Sequence, residues 1–226
     1  MPDGLVAEEL QADLAGGVIG RKIIVLEQTG STNDAILQIT DANSAEGLVV
    51  FAEHQTAGRG QRGNRWESAA GKGLWFSILL RPEIQLSNSG GLTIWAIEAI
   101  SDVIRIEFGL EPAIKLPNDV QLSGQKVAGV LVEMRAQDNA PHLAVVGIGI
   151  NVNQCRDDFP AELQDRAISL AMALGRQVDR QNFAVALLRN LDLTYREKFS
   201  KTVAAFNSSA APTTTHDKRA AKSRTA

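Results

Sequence analysis

The sequence has 226 residues, 44% of them hydrophobic and 22% charged, enough to bury a sizeable core in one or two domains. The formal charge is −3, but residues 201–226 hold five Lys or Arg against one Asp, so the rest of the chain stands near −7, which argues against a basic, nucleic-acid-binding body. A single cysteine, Cys155, rules out an internal disulfide, the histidines at 54, 142 and 216 lack metal-ligand spacing, and no stretch approaches the roughly 20 apolar residues of a membrane span. The start, "MPDGLVAEELQADLAGG", is acidic where a signal peptide would be basic, so a cytoplasmic protein is expected.

In chain order, residues 1–20 read as an N-terminal extension, "KIIVLE" (22–27) as a strand and "STNDAILQI" (31–39) as a helix with a hydroxyl cap. "GLVVFAEH" (47–54) is a second strand, a glycine-rich loop follows, and "GLWFSILLR" (73–81) resumes extended structure. Apolar residues at helical spacing in "GGLTIWAIEAISDVIRIEFG" predict a long helix. After it come "AIKLPNDVQL", a turn at Ser123-Gly124, the strands "KVAGVLVEM" and "HLAVVGIGINV", and two helices over 161–174 and 180–199. Strands joined by short turns, alternating irregularly with helices, predict a mixed α+β sheet packed against helices. Residues 201–226 lose apolar periodicity and gain Ser, Thr, Ala and Lys, the composition of a disordered tail.

The loop "GRGQRGNRW" (58–66) carries three glycines, three arginines and a tryptophan. Gly58, Gly60 and Gly63 match the dinucleotide fingerprint G-x-G-x-x-G by letter, but that motif opens a helix, and here Asn64 to Ser68 lead into a strand. Nor is it a Walker loop, since Asn64 and Arg65 follow Gly63. What remains is a solvated turn, or a flexible loop whose backbone N–H groups and guanidiniums can hold an anion. Elsewhere, Asn118 and Asp119 of "PND" offer oxygen ligands suited to Mg²⁺ held jointly with phosphates, though Pro-Asn-Asp is also a good turn sequence. Gly129 and the glycines of "GIGIN" lie in apolar strands, where glycine weakens a sheet unless something approaches the backbone closely; a ligand or a β-bulge would explain them.

Five segments, "STND" (31–34), "EHQTAGRGQRGNRW" (53–66), "KLPND" (115–119), "KVAGVLVE" (126–133) and "GIGINVN" (147–153), stand in the order and spacing typical of biotin protein ligases, and over residues 24–200 the chain resembles that family. The resemblance implies a class II synthetase-like catalytic domain over 21–200, which uses biotin and Mg²⁺-ATP to make biotinyl-5′-adenylate and passes biotin to a lysine of a biotin carboxyl carrier domain. It places Ser31, Thr32, Asn33 and Gln55 on the ureido and ring-sulfur side. It places Gly58, the backbone from Arg59 through Gly60 to Gln61, and Gly129 on biotinyl-adenylate. Lys126 would sit on the reacting carboxylate and phosphate, Lys115 on the phosphates, and Arg62, Trp66 and Asn151 on the nucleotide. Adenylation joins a carboxylate to the α-phosphorus, so cations suffice and no protein nucleophile is required. Arg59, Arg62, Lys115 and Lys126 are the candidate cations, and Asp119 is a candidate base for the incoming amine.

Three positions depart from the family pattern: Gln61 replaces a usual arginine, Asn64 falls where arginine or asparagine is found, and Leu116 replaces the tryptophan of "KWPND". With about twenty residues before the sheet and a polar tail where an SH3-like domain usually follows, the expectation is an enzyme without DNA or membrane partners. A homodimer stays open. Two alternatives remain at this stage, a lipoate or octanoate ligase on the same fold and a non-catalytic biotin-binding protein.

Overall fold

The computed structural model describes residues 4–14, 16–40, 44–136 and 142–199, so the predicted tail at 201–226 lies outside the described residues. Seven strands form one sheet: β1 (Lys22–Thr29), β2 (Leu48–Gln55), β3 (Gly73–Leu80), β4 (Ala113–Lys115), β5 (Asp119–Leu122), β6 (Gln125–Arg135) and β7 (Leu143–Asn151). Their spatial order is β1-β2-β3-β7-β6-β5-β4. Only β1 and β2 run parallel; every other neighbouring pair is antiparallel. A parallel pair needs a crossover, and α2 (Thr32–Gln38) supplies it. The mixed α+β architecture read from the sequence is therefore present.

Residue alternation sorts the two faces of the sheet. Phe51, Phe76, Ile78, Val146, Ile148, Ala128 and Val130 belong to the main core, which is completed by α3 (Gly90–Phe108) and α5 (Arg180–Phe199). Intervening residues face the other way, where Val50, Leu79 and Val145 pack with Ala35 and Ile36 of α2 in a smaller cluster. All eight residues of β3 are buried because both its faces are covered, which explains an unbroken apolar run rather than an alternating one. Seven residues cannot sustain an isolated helix, so α2 depends on this packing. Burying Ile36 completely contributes about 1.5–3 kcal/mol and fixes the first turn of α2 against the sheet.

Two segments differ from the sequence expectation. The stretch before β1, read only as an N-terminal extension, forms α1 (Ala7–Asp13), and Leu5, Leu10 and Leu14 join the main core. A single helix over 161–174 is replaced by a short 3-10 turn at Ala161–Leu163 and by α4 (Leu170–Leu174). Between them Ala167 bridges the backbone of Lys126: Lys126 N–H donates to Arg166 O at 2.8 Å and Ile168 N–H to Lys126 O at 3.0 Å. A sheet-like contact thus interrupts a segment whose composition suits a helix. The Ser123-Gly124 turn has φ of 50° and 81° at its two central residues, the geometry that matches the twist of β5 and β6.

Candidate active site

On the face opposite the main core, β3, β7 and β6 align Ser77, Gly147 and Leu131 in one row and Trp75, Gly149 and Gly129 in the next. Three glycines in two adjacent rows leave a depression in the sheet. Its occupants are side chains of this protein. A Cβ at Gly147 would lie 2.3 Å from Asn33 Oδ1, one at Gly149 2.5 Å from Trp66 Cε2, and one at Gly129 2.9 Å from both Trp66 Cζ3 and Lys126 Cε. The close approach expected of a ligand is made here by Asn33, Trp66 and Lys126.

The first turn of α2 projects into one end of this depression and forms a buried polar cluster. Thr32 donates to Gln55 Oε1 through its backbone N–H at 2.8 Å and its hydroxyl at 3.2 Å. The Ser77 hydroxyl lies 2.8 Å from Thr32 Oγ1 and 2.6 Å from Asn33 Oδ1, and Ser68 Oγ accepts from Gln55 N–H at 3.0 Å. Because the Thr32 N–H can only donate, it fixes the Gln55 amide with its oxygen inward, leaving the NH₂ group as the donor on the cavity side. Ser31 takes the N-cap position, yet its side chain makes no capping hydrogen bond. The expected hydroxyl cap is absent, and Ser31 is one of the residues that line the cavity.

The glycine-arginine loop folds as a narrow hairpin. Gly60 N–H donates to Asn64 O at 2.7 Å, Trp66 N–H to Gly58 O at 2.9 Å, and Arg59 bridges Arg65. A 3-10 turn at Gln61–Gly63 forms the tip, with Arg62 in the left-handed region at φ 59°. Gly58 sits where a Cβ would meet Trp66 O at 2.6 Å. The hairpin lays Trp66 over Gly149 and Gly129, edge-on to Trp75 with ring centroids 6.0 Å apart. Lys126 Nζ stands 5.1 Å from the Trp66 ring centroid and 2.6 Å from Asp119 Oδ1.

Two cavities meet at Trp66 and Lys126. The inner one, about 40 Å³, is lined by the polar cluster with Arg59, Gly60, Asn118 and Gly129. That is room for only about three water molecules. The outer cleft, about 440 Å³, is lined by Lys115, Asp119, Asn151, Arg65, Arg166 and the apolar side of Phe159, among others. Gly58, Gln61 and Arg62, all expected at the ligand, line neither. Asn151, expected at an adenine, has its carboxamide engaged by protein: Nδ2 donates to Lys126 O at 3.3 Å and Ile168 O at 3.2 Å, while Oδ1 accepts from Gln154 at 3.0 Å. Asn118 Nδ2 donates to Val130 O at 3.0 Å, leaving its Oδ1 as the remaining ligating atom.

A model of the biotin/lipoate A/B protein ligase family matches residues 25–151, which hold every part of this site except the 159–168 segment. The chain belongs to that family. Among its relatives, the Bacillus subtilis bifunctional ligase/repressor BirA is 37% identical over 87% of this chain and 60% of its own length. The Mycobacterium tuberculosis biotin--[acetyl-CoA-carboxylase] ligase is 35% identical over 81% of this chain and 68% of its own. Biotin protein ligase from Aquifex aeolicus, solved with biotin and ATP, superposes with a TM-score of 0.66 at 31% identity, covering 79% of this chain and 73% of that one. The chain thus spans about 60% of the length of the Bacillus relatives it matches.

Sequence reading overlooked three residues of this ligase-family site. Ser77 is a lone hydroxyl inside an apolar strand, and only the register that sets it beside Gly147 gives it a role. Asp34 and Glu133 were unassigned parts of recognised segments, and both pair with Arg59. Burial alone would lower the Arg59 pKa, but Glu133 and Asp34 outweigh it and hold the pKa above its ordinary value.

Proposed function

We propose that this chain activates biotin with ATP to biotinyl-5′-adenylate, releasing pyrophosphate, and then transfers the biotinyl group to a lysine of a biotin carboxyl carrier domain, releasing AMP. One observation carries the reading: a cavity with a buried end of neutral hydrogen-bonding groups, Ser31, Thr32, Asn33 and Gln55, opens at Lys126 beside a cleft lined by Lys115, Arg65 and Arg166 as well as carboxylates. Biotin has that division, with a neutral ureido ring at one end and a carboxylate at the other. The ring carbonyl and N–H groups need matched partners once desolvated, and Gln55 Nε2, Ser31 Oγ, Thr32 Oγ1 and Asn33 provide donors and acceptors. A dithiolane or an alkyl chain would leave these groups facing apolar atoms, and sites built to hydrogen-bond reject such analogues strongly. This favours biotin over lipoate and octanoate.

In the first step a carboxylate oxygen attacks the α-phosphorus and pyrophosphate leaves. Lys126 borders both cavities, where carboxylate and phosphate charge converge, and stabilises the added negative charge of the transition state. Lys115, Arg65 and Arg166 surround the outer cleft and serve the phosphates. ATP enters as its magnesium complex, a substrate. One carboxylate, Asp119, and one carboxamide oxygen, that of Asn118, are too few to hold the ion alone but fit one that keeps phosphate and water ligands. In the second step the carrier amine attacks the acyl carbon and expels AMP, with Asp119 taking the proton once adenylate formation has drawn Lys126 toward the phosphate. The inner cavity must widen to admit the bicycle, by release of the hairpin that carries Trp66 and its return over the bound ring.

Biotin-dependent exchange of pyrophosphate into ATP, run in parallel with lipoate and octanoate, tests the reading. Exchange with biotin alone is expected. Exchange only with lipoate or octanoate would overturn it, and tight biotin binding without exchange would make the chain a binding protein. The Bacillus relatives are named as repressors as well as ligases. No helix among the described residues is long and apolar enough to cross a membrane.

A further inference from the structure

Charge and motif suggest an anionic ligand for Arg59, but its surroundings argue for a different task. Its Nη1 lies 2.8 Å from Asp34 Oδ1 and 2.9 Å from Asp34 Oδ2, and its Nη2 lies 2.9 Å from Glu133 Oε2. Three separate elements meet there: the loop, the first turn of α2, and β6. The Glu133 carboxylate also accepts from Asn33 Nδ2 at 2.6 Å, which ties it to the buried polar cluster. One guanidinium between two carboxylates makes a cluster of net charge −1, which repels a carboxylate or phosphate rather than attracting one. With its fork occupied on both prongs, Arg59 is spent as a ligand-binding cation.

We propose that Asp34 and Glu133 are positioning residues, a latch that grips Arg59 and thereby holds the glycine-arginine hairpin and Trp66 down over the biotin cavity. The geometry supports a mechanical role. Arg59 and Trp66 lie on opposite legs of one hairpin, joined by the Trp66 N–H to Gly58 bond and the Arg59–Arg65 bridge, so fixing one leg fixes the other. The tip holds Arg62 in a left-handed conformation that costs about 1–2 kcal/mol, so the hairpin needs external support. The side chains of Arg59, Asp34 and Glu133 are 41%, 47% and 39% exposed, which leaves the latch reachable by water and salt and able to release for ligand exchange. Because Asn33 bridges Glu133 and Ser77, occupancy of the polar cavity and closure of the loop share one hydrogen-bond chain. This deepens the biotin-ligase reading by saying what retains the adenylate, and it rests on that reading only for the identity of what is retained.

The test follows loop opening directly and chemistry separately. Native-state trypsin cleavage after Arg62 and Arg65 is timed by mass spectrometry on the full chain, for wild type, Asp34→Asn, Glu133→Gln and the double variant, normalised to a short peptide substrate at each salt concentration. The double variant is expected to be cut about tenfold faster at low salt, and molar salt should bring wild type close to that rate without affecting the double variant. Arg59→Lys keeps the charge but cannot span both carboxylates, and should fall between the two. Equal cleavage in all variants, insensitive to salt, would overturn the latch, as would acceleration matched by a collapse of the melting temperature in Arg59→Lys as well. Release of preformed biotinyl-adenylate, followed by rapid filtration, should quicken in the same order as cleavage. Altered exchange with unaltered cleavage would overturn the latch and leave the ligase standing. Faster cleavage in a chain that never exchanges pyrophosphate would sustain the latch and sink the ligase.

Discussion

The two halves of the site are built on opposite principles. At the buried end of the inner cavity the groups are neutral and interlocked: Ser77 is fully buried, and every bond among Thr32, Gln55, Ser77 and Asn33 is between 2.6 and 3.2 Å. Around the outer cleft and the loop the groups are charged, partly exposed and joined by ion pairs, with Lys126 and Asp119 at 32% and 23% exposure. A neutral ring gains little from long-range fields and needs preorganised partners at fixed positions, so rigidity serves it. Phosphates attract cations through solvent at several ångströms and leave again as pyrophosphate and AMP, so looser, water-reachable side chains serve them. The difference predicts that changes in the inner cavity act on biotin affinity, while changes at Lys126 and the loop act on chemistry and retention.

The largest effect is expected at the junction. Lys126→Ala should lower pyrophosphate exchange by about 10²–10³, the cost of removing a preorganised charge from a developing oxyanion, with the KM for biotin changed far less. Asp119 loses its partner, but at 23% exposure water can solvate it, so the melting temperature should move by only a few degrees. Wild-type-like exchange would remove Lys126 from the reaction, and a large thermal loss would make it a structural residue.

Gly149→Ala attacks the seam between the halves. The new methyl would sit 2.5 Å from Trp66 Cε2, inside any tolerated contact, so Trp66 must leave the glycine floor and carry the hairpin with it. Misplacement on the scale of an ångström can cost about 10² in rate. We expect a loss of that order in exchange together with a red shift in tryptophan emission. Unshifted emission would mean the floor yields and Trp66 does not.

Gln55→Ala should stay within the inner half. It strips the Thr32 N–H of its acceptor and biotin of a donor, and an unsatisfied buried group costs about 1–3 kcal/mol. The KM for biotin should rise by about ten- to a hundredfold, with kcat nearly unchanged and KM for ATP unaffected. A matching fall in kcat would break the division between the two halves.

How far the sequence disclosed these halves depends on whether the information was local. The strands, the long helix Gly90–Phe108 and the residues of α2's first turn were legible because period and motif are written in consecutive residues. Ser77 was not, since its meaning comes from a strand register that sets position 77 beside 147. The helix expected over 161–174 failed for the same reason: its middle is claimed by Lys126, some forty residues away. The glycines of β6 and β7 did announce a close approach, but not that Trp66 and Asn33 would make it. Charge and motif both point Arg59 at the ligand, and the carboxylates that occupy its side chain come from two other elements.

The smallest expected change sharpens the loop's share of the work. Gln61 begins the tip turn, lines neither cavity, and takes a place where the family pattern carries arginine. With Arg59 held by Asp34 and Glu133 and Arg65 paired with Glu67 at 3.1 Å, the other cation of the hairpin is Arg62, which is exposed. An added arginine at 61 would gain a charge-assisted bond to the adenylate phosphate once the hairpin has closed over it, and such bonds exceed neutral ones by roughly 1 kcal/mol or more. Gln61→Arg should therefore slow adenylate release by about tenfold, the factor that about 1.4 kcal/mol implies, when free biotinyl-adenylate is filtered away over time without a carrier. The first-step exchange rate should stay within about twofold of wild type, because the transition state for adenylation is already met by Lys126. An unchanged release rate would show that position 61 points away from the phosphate in the occupied state and that retention rests on the latch at Arg59 alone.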